Sequence, residues 1–125
     1  MKKLFILLLL FGNFTGCDQL EEREITAFEL QQQFQEILNI VDSGNCSEDS
    51  QCSFMAYGSK ACGGPQGYLV FSSNIDVEAL QKRVTKYTED ERLYNNQQGA
   101  SSDCMFVTPP NEMGCTDGNC MEITN

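Results

Sequence analysis

Seven cysteines, several runs of neighbouring carboxylates and one lysine heading a glycine-rich loop are the residues of this chain suited to chemistry. The cysteines are Cys17, Cys46, Cys52, Cys62, Cys104, Cys115 and Cys120. Thiols act as metal ligands, redox couples or bridges, and their spacing separates these roles. A zinc site wants cysteines close together in sequence, or cysteine with histidine. Here every neighbouring pair is five or more residues apart, and the chain has no histidine. A thioredoxin-type couple needs two cysteines with two residues between them, and that is absent as well. The sequence therefore predicts no metal and no redox cofactor. It predicts structural disulfides among Cys46, Cys52, Cys62, Cys104, Cys115 and Cys120.

The carboxylates are Glu48 with Asp49, and Glu89 with Asp90 and Glu91. Acid–base work needs burial or a close charge to move a carboxyl pKa, and polar neighbours such as these read as solvated surface. Without histidine, a serine nucleophile also lacks its usual base. Asp117-Gly118-Asn119 lacks the ligand alternation and closing glutamate of a calcium loop. No catalytic residue is assigned, and the reading is of a chain that is not an enzyme. A carboxylate-dependent hydrolase is the alternative.

The most distinctive local stretch is Ser59 to Tyr68, with Lys60, Ala61, Cys62, Gly63, Gly64, Pro65 and Gly67. Glycine permits backbone angles other residues resist, and proline stiffens the path. The stretch ends in an apolar strand and not in Gly-Lys-Ser/Thr before a helix, so it is not a phosphate loop. A loop pinned by a bridge at Cys62 loses little entropy on binding. Lys60, Ala61, Gly63, Gly64 and Pro65 are thus the candidate recognition residues. The expectation is an inhibitor-like surface that presents Lys60.

The chain opens Met1-Lys2-Lys3, runs apolar from Leu4 to Phe11, and reaches Phe14-Thr15-Gly16-Cys17. A positive start, a short apolar core and small residues before a cysteine suit an export leader; the run is too short to span a bilayer. The stretch over residues 1–17 resembles the signal peptide and lipobox of bacterial lipoproteins. That resemblance implies cleavage after residue 16 and a covalent lipid on Cys17 as the sole prosthetic group. It implies a chain held at the bacterial cell envelope, facing the periplasm. In that family an aspartate directly after the lipidated cysteine goes with inner-membrane retention, and Asp18 stands there. Cysteine parity agrees: an exported chain with an odd thiol needs a reason, and lipidating Cys17 leaves six to pair.

Residues 17–24 then read as lipidated cysteine and tether, and residues 25–125 as one domain. The formal charge of −10 becomes about −12 once Lys2 and Lys3 leave with the leader. Such acidity excludes nucleic acid and anionic headgroups as favoured partners.

The elements that must position these residues are readable in outline. Thr26 and Glu29 have capping-box spacing, flanked by Ile25 and Leu30 as a hydrophobic staple. Leu30, Phe34, Ile37, Leu38 and Val41 continue one helical face toward a stop at Gly44. Cys52–Tyr57 and Tyr68–Ser72 are β-prone. A second helix starts at Asp76 and carries Val77, Leu80, Val84 and Tyr87 inward, with Lys82, Arg83 and Lys86 as a positive patch. Leu93 and Tyr94 extend it, and Asn95–Ser102 reads as a loop. Cys104–Thr108 reads as a third strand before Pro109 and Pro110. Asp117-Gly118 suits a two-residue hairpin turn that sets Cys115 opposite Cys120.

The predicted fold is α+β: an antiparallel sheet of about four strands with two helices on one face, in the order helix, strand, strand, helix, strand, strand. Six cysteines allow fifteen connectivities. Cys115–Cys120 is the first expected bridge, with Cys52–Cys104 or Cys46–Cys62 next. The functional expectation is a membrane-anchored envelope lipoprotein whose domain binds an envelope protein or another envelope component. A purely structural envelope role is the remaining alternative.

Overall fold

The computed structural model describes residues 22–124; the expected leader, Cys17 and Asp18 lie outside the described residues. Helix α1 spans Ala27–Asp42. Its start is the expected capping box: the Glu29 amide donates to Thr26 Oγ1 at 3.2 Å, and the Thr26 amide donates to Glu29 Oε2 at 2.9 Å. That contact, with Arg23 beside it, holds the Glu29 carboxyl below its ordinary range. Ile25 and Leu30 are both buried, as a staple requires. The helix closes at Ser43, one residue before the expected stop. Gly44 has a different task, since a Cβ there would meet Ile75 Cγ2 at 2.3 Å.

Strands β1 (Cys52–Tyr57) and β2 (Gly67–Ser72) form an antiparallel hairpin, after a single 3₁₀ turn at Asp49–Gln51. Helix α2 follows at Val77–Gln98, capped by Asp76, whose Oδ1 accepts from the Ala79 amide at 2.9 Å. It runs through Asn95–Gln98, which corrects the first half of the expected loop at Asn95–Ser102. Gly99 ends it in the left-handed region at φ 59°. Strands β3 (Met113–Thr116) and β4 (Asn119–Glu122) form a second antiparallel hairpin around Asp117 and Gly118. The domain is thus α+β, with two helices and four antiparallel strands in the expected order, stapled by disulfides. The strands fall into two hydrogen-bonded pairs, β1–β2 and β3–β4.

The core lies between the helices and one side of β1–β2. Leu69 and Phe71 alternate inward from β2 and meet Ile25, Leu30 and Ile37 on the α1 side and Leu80, Val84 and Tyr87 from α2. Ile37 and Leu80 are 0 % exposed, and burying such a side chain contributes about 1.5–3 kcal/mol each. Phe34 stacks between Tyr57 and Tyr87 at centroid distances of 5.1 and 5.5 Å. On the opposite side of the same strands, Phe54 and Tyr68 meet edge to face.

The bridges are Cys46–Cys115, Cys52–Cys120 and Cys62–Cys104. Every expected pairing is corrected. Cys115 and Cys120 do stand opposite each other in the hairpin register, as the turn predicts. Neighbours in a non-hydrogen-bonded pair share one side of the ribbon, and here each sulfur reaches across to the body of the domain. The Cys46 amide donates to Gly118 O at 3.0 Å, and the Cys115 amide to Asp49 Oδ1 at 2.7 Å, so the hairpin is docked beside both partners. These bridges span 69 and 68 residues of sequence. In the chain-entropy account such a closure stabilises by about 4 kcal/mol, against about 2 for the short Cys115–Cys120 loop.

The expected third strand at 104–108 is also corrected. Cys104 has φ 54°, a left-handed conformation that interrupts an extended run, and no strand pairs with the segment.

Candidate functional site

The glycine-rich loop between β1 and β2 is held from below by α2. The Gly58 amide donates to Thr88 Oγ1 at 2.9 Å, and the Ser59 amide to Glu91 Oε2 at 2.6 Å. Asn95 Nδ2 donates to Ser59 O at 2.7 Å, and Gln66 Nε2 to Glu91 Oε1 at 3.2 Å. These three side chains recur at helical intervals, so one face of α2 carries the loop. Gly58 is required here: at φ 78°, a Cβ would meet Glu91 Oε2 at 2.6 Å. Burial raises the Glu91 carboxyl pKa, although the Ser59 amide, Gln66 and Tyr87 all bond its charged form. Burial likewise pushes the Tyr87 phenol up to about 12, with the Glu91 charge adding to the shift.

Beyond Ser59 the loop turns on itself through Lys60 N to Gly64 O and Gly63 N to Lys60 O, both 2.9 Å. The Cys62–Cys104 bridge then ties it to the segment after α2, and the Cys62 amide donates to Ser102 Oγ at 3.1 Å. Lys60 is part of the same tie. Its Nζ donates to Asp103 Oδ1 at 2.8 Å and to Met105 O at 2.9 Å, and its side chain is only 10 % exposed. The lysine expected at the tip of a recognition loop is therefore a strut directed inward. The Asp103 carboxyl is held below its ordinary range by that ammonium.

The side facing out is apolar. Gly63, Gly64 and Pro65 with Met105, Phe106 and Val107 line an open pocket of about 560 Å³ across the bridge. Phe106 is 94 % exposed and Met105 67 %. No Cβ added at Gly63 or Gly64 would meet anything within 4 Å, so the pocket mouth is open above them. The structure thus brings together Gly63, Gly64 and Pro65 from the expected loop. It adds Met105 and Phe106, which belong to the expected strand at 104–108. The signal was present in part: Met105 and Phe106 stand beside a cysteine and shortly before two prolines, where a regular buried strand has little room.

Glu89, Asp90, Glu91 and Asp49 are each tied to a different partner. Glu89 is held by Arg92, and this contact lowers its pKa. Asp90 is buried in the seam between α1 and α2. Burial raises its pKa, but bonds from Lys86 and from Gln33 Nε2 at 2.7 Å, with the Arg23 charge, outweigh it and bring it below the ordinary range. Glu91 carries the loop, and Asp49 carries the Cys115 amide. The positive patch is likewise partnered, Lys82 by Glu78, Arg83 by Glu36 and Lys86 by Asp90.

A second cluster gathers the Sγ atoms of Cys46, Cys52 and Cys120 within 4.8 Å of one another. It arises because two bridges lie side by side. A metal needs thiolates, and each of these sulfurs is bonded to another sulfur. Among the described residues no helix is long and apolar enough to cross a membrane. Comparisons with known proteins return no matching family model, no matching curated protein and no matching solved structure.

Proposed function

We propose that this chain is a membrane-anchored lipoprotein of the bacterial cell envelope, lipidated at Cys17, whose domain is a non-enzymatic binding module. The observation that carries the binding part is the platform at Cys62–Cys104. An almost fully exposed Phe106 beside an open apolar pocket has no role in the core of this domain. The platform is held rigid by a bridge and by polar struts from α2, so a partner would order little on docking. The anchoring part rests on the leader, on the Thr15-Gly16-Cys17 pattern, and on the even count of bridged cysteines that remains. Lys60 has no part in recognition, because its ammonium is spent on Asp103 and Met105.

Two measurements test this. Intact mass of the protein extracted from membranes should carry acyl mass at Cys17, and an unmodified chain with its leader uncut would remove the anchor. A photo-crosslinking residue placed at Phe106 in cells should give several-fold more adducts, to lipid or to envelope protein, than one at exposed Met121 on the second hairpin. Equal labelling at the two positions would remove the platform as the binding face.

A further inference from the structure

We infer that the platform rests on the outer surface of the bilayer that holds the lipid, so that Phe106 and Met105 sit among headgroups and acyl chains. This rests on the lipoprotein reading and adds an orientation and a ligand to it. Gln97, on the last turn of α2, accepts from the Ile25 amide at 3.0 Å and donates to Arg23 O at 2.8 Å. Arg23 also pairs with Glu29 and Asp90. Residues 23–25 therefore belong to the domain, although the sequence reading assigned 23 and 24 to the tether. Only Asp18–Glu22 separate Cys17 from that fixed point, and the six extended steps from Cys17 to Arg23 reach at most about 22 Å. The end of the domain that bears Gln97 cannot stand far from the membrane.

That end bears exposed apolar side chains. Phe28, 65 % exposed, is in the first turn of α1, two residues after the cap. Met105 and Phe106 are held through Lys60 and the Ser59 carbonyl to Asn95, also in the last turns of α2. The N-terminus of α2, with Val77, is about 27 Å away along the helix axis. At the near end Arg23 pairs with Glu29 and Lys60 with Asp103, which leaves no free cation among these residues, while Glu22 and Glu24 beside Arg23 are exposed. With the formal charge of −10 falling to about −12 in the processed chain, anionic headgroups repel it, so the surface it fits is a zwitterionic one. Aromatic and thioether side chains beside a lipid anchor add apolar contact to the acyl chains already inserted.

The chain has no tryptophan, which makes the test direct. Full-length processed protein carrying Phe106→Trp or Val77→Trp is reconstituted by its lipid into phosphatidylcholine vesicles with brominated acyl chains. The expected result is blue-shifted emission for Phe106→Trp with quenching several-fold stronger than for Val77→Trp. Met105→Trp should follow Phe106→Trp. Equal quenching at positions 106 and 77, with both proteins floating with the vesicles, overturns the inference and leaves the anchor intact. A blue shift at 106 that appears only on adding envelope protein overturns it in favour of a protein partner. Failure of the proteins to float at all refutes the anchor itself, and with it the orientation.

Discussion

The molecule has two covalently stapled appendages, and they are built on opposite plans. The β3–β4 hairpin is regular in backbone and is joined to the domain by two bridges of long span. The platform is irregular, has one bridge of 42 residues, and is carried by side chains of α2 reaching backbone groups of the loop. In the hairpin the bridges substitute for apolar burial: Met121 stays 53 % exposed, and the hairpin is tied down by two disulfides, one backbone bond from Cys46 to Gly118 O and the Cys115 amide on Asp49 Oδ1. In the platform the bridge holds open a pocket that an ordinary core would have filled. The same covalent device thus secures the fold in one place and presents a surface in the other.

That contrast is broken most severely at the hairpin. Replacing Cys46, Cys52, Cys115 and Cys120 together by alanine removes both long closures, each worth about 2–4 kcal/mol. The total is comparable with the whole stability of a domain this size, about 5–15 kcal/mol. The expected outcome in urea titration is a chain largely unfolded at room temperature. A loss under about 2 kcal/mol would mean that the hairpin docks by its noncovalent contacts, and the comparison as drawn would fail.

The platform bridge comes next. Cys62→Ala with Cys104→Ala should cost about 2–3 kcal/mol while the far-side core keeps its hydrogen-exchange protection. Amides of 60–66 and 102–107 should exchange much faster. A uniform loss of protection across α1 and β2 would instead make this bridge as global in effect as the hairpin pair.

How much of this was legible follows from the range of each signal. Thr26 with Glu29, Asp76, and the Asp117-Gly118 turn act within a few residues, and each cap, strand limit and register they predict is present. Strand β1 has the limits its β-prone residues indicate. The disulfides were not legible, because the hairpin register is compatible with Cys115–Cys120 and only the docking of the hairpin on Cys46 and Asp49 decides otherwise. Met105 and Phe106 have strand propensity, but φ at Cys104 and the pull of Lys60 on Met105 O override it. The direction of Lys60 depends on Asp103, 43 residues away in sequence, and no local pattern contains that distance. The expected loop at Asn95–Ser102 overlooks a local signal: Gly99 is a helix-ending residue type, and α2 runs up to it.

A smaller perturbation separates the struts from the bridge. Lys60→Met keeps the bridge and the length of the side chain but removes the contacts to Asp103 and Met105. Hydrogen exchange should rise at 103–107 and stay unchanged at 58–59, which Thr88 and Glu91 continue to hold. Unchanged exchange at 103–107 would show that Cys62–Cys104 alone fixes the segment.

The finest test sets two adjacent carboxylates against each other across this boundary. Glu91 supports the platform, and burial raises its pKa above the ordinary 4.5. A raised carboxyl pKa means that the folded state holds its proton more tightly than the unfolded chain. The resulting stabilisation is complete below about pH 4.5 and is lost as pH rises through the folded value. Asp90 lies in the α1–α2 seam, with its pKa brought below the ordinary 3.8 by Lys86, Gln33 and Arg23 against the opposing effect of burial. Its stabilisation is complete above about pH 3.8 and is lost as pH falls through the folded value. Urea unfolding from about pH 3 to about pH 7 should therefore give difference curves of opposite slope. Relative to wild type, Glu91→Gln gains stability as pH rises above 4.5, and Asp90→Asn loses it as pH rises toward 3.8. Parallel curves would mean that the two carboxylates share one environment, and that the platform is no more strained by its buried support than the core is by its own.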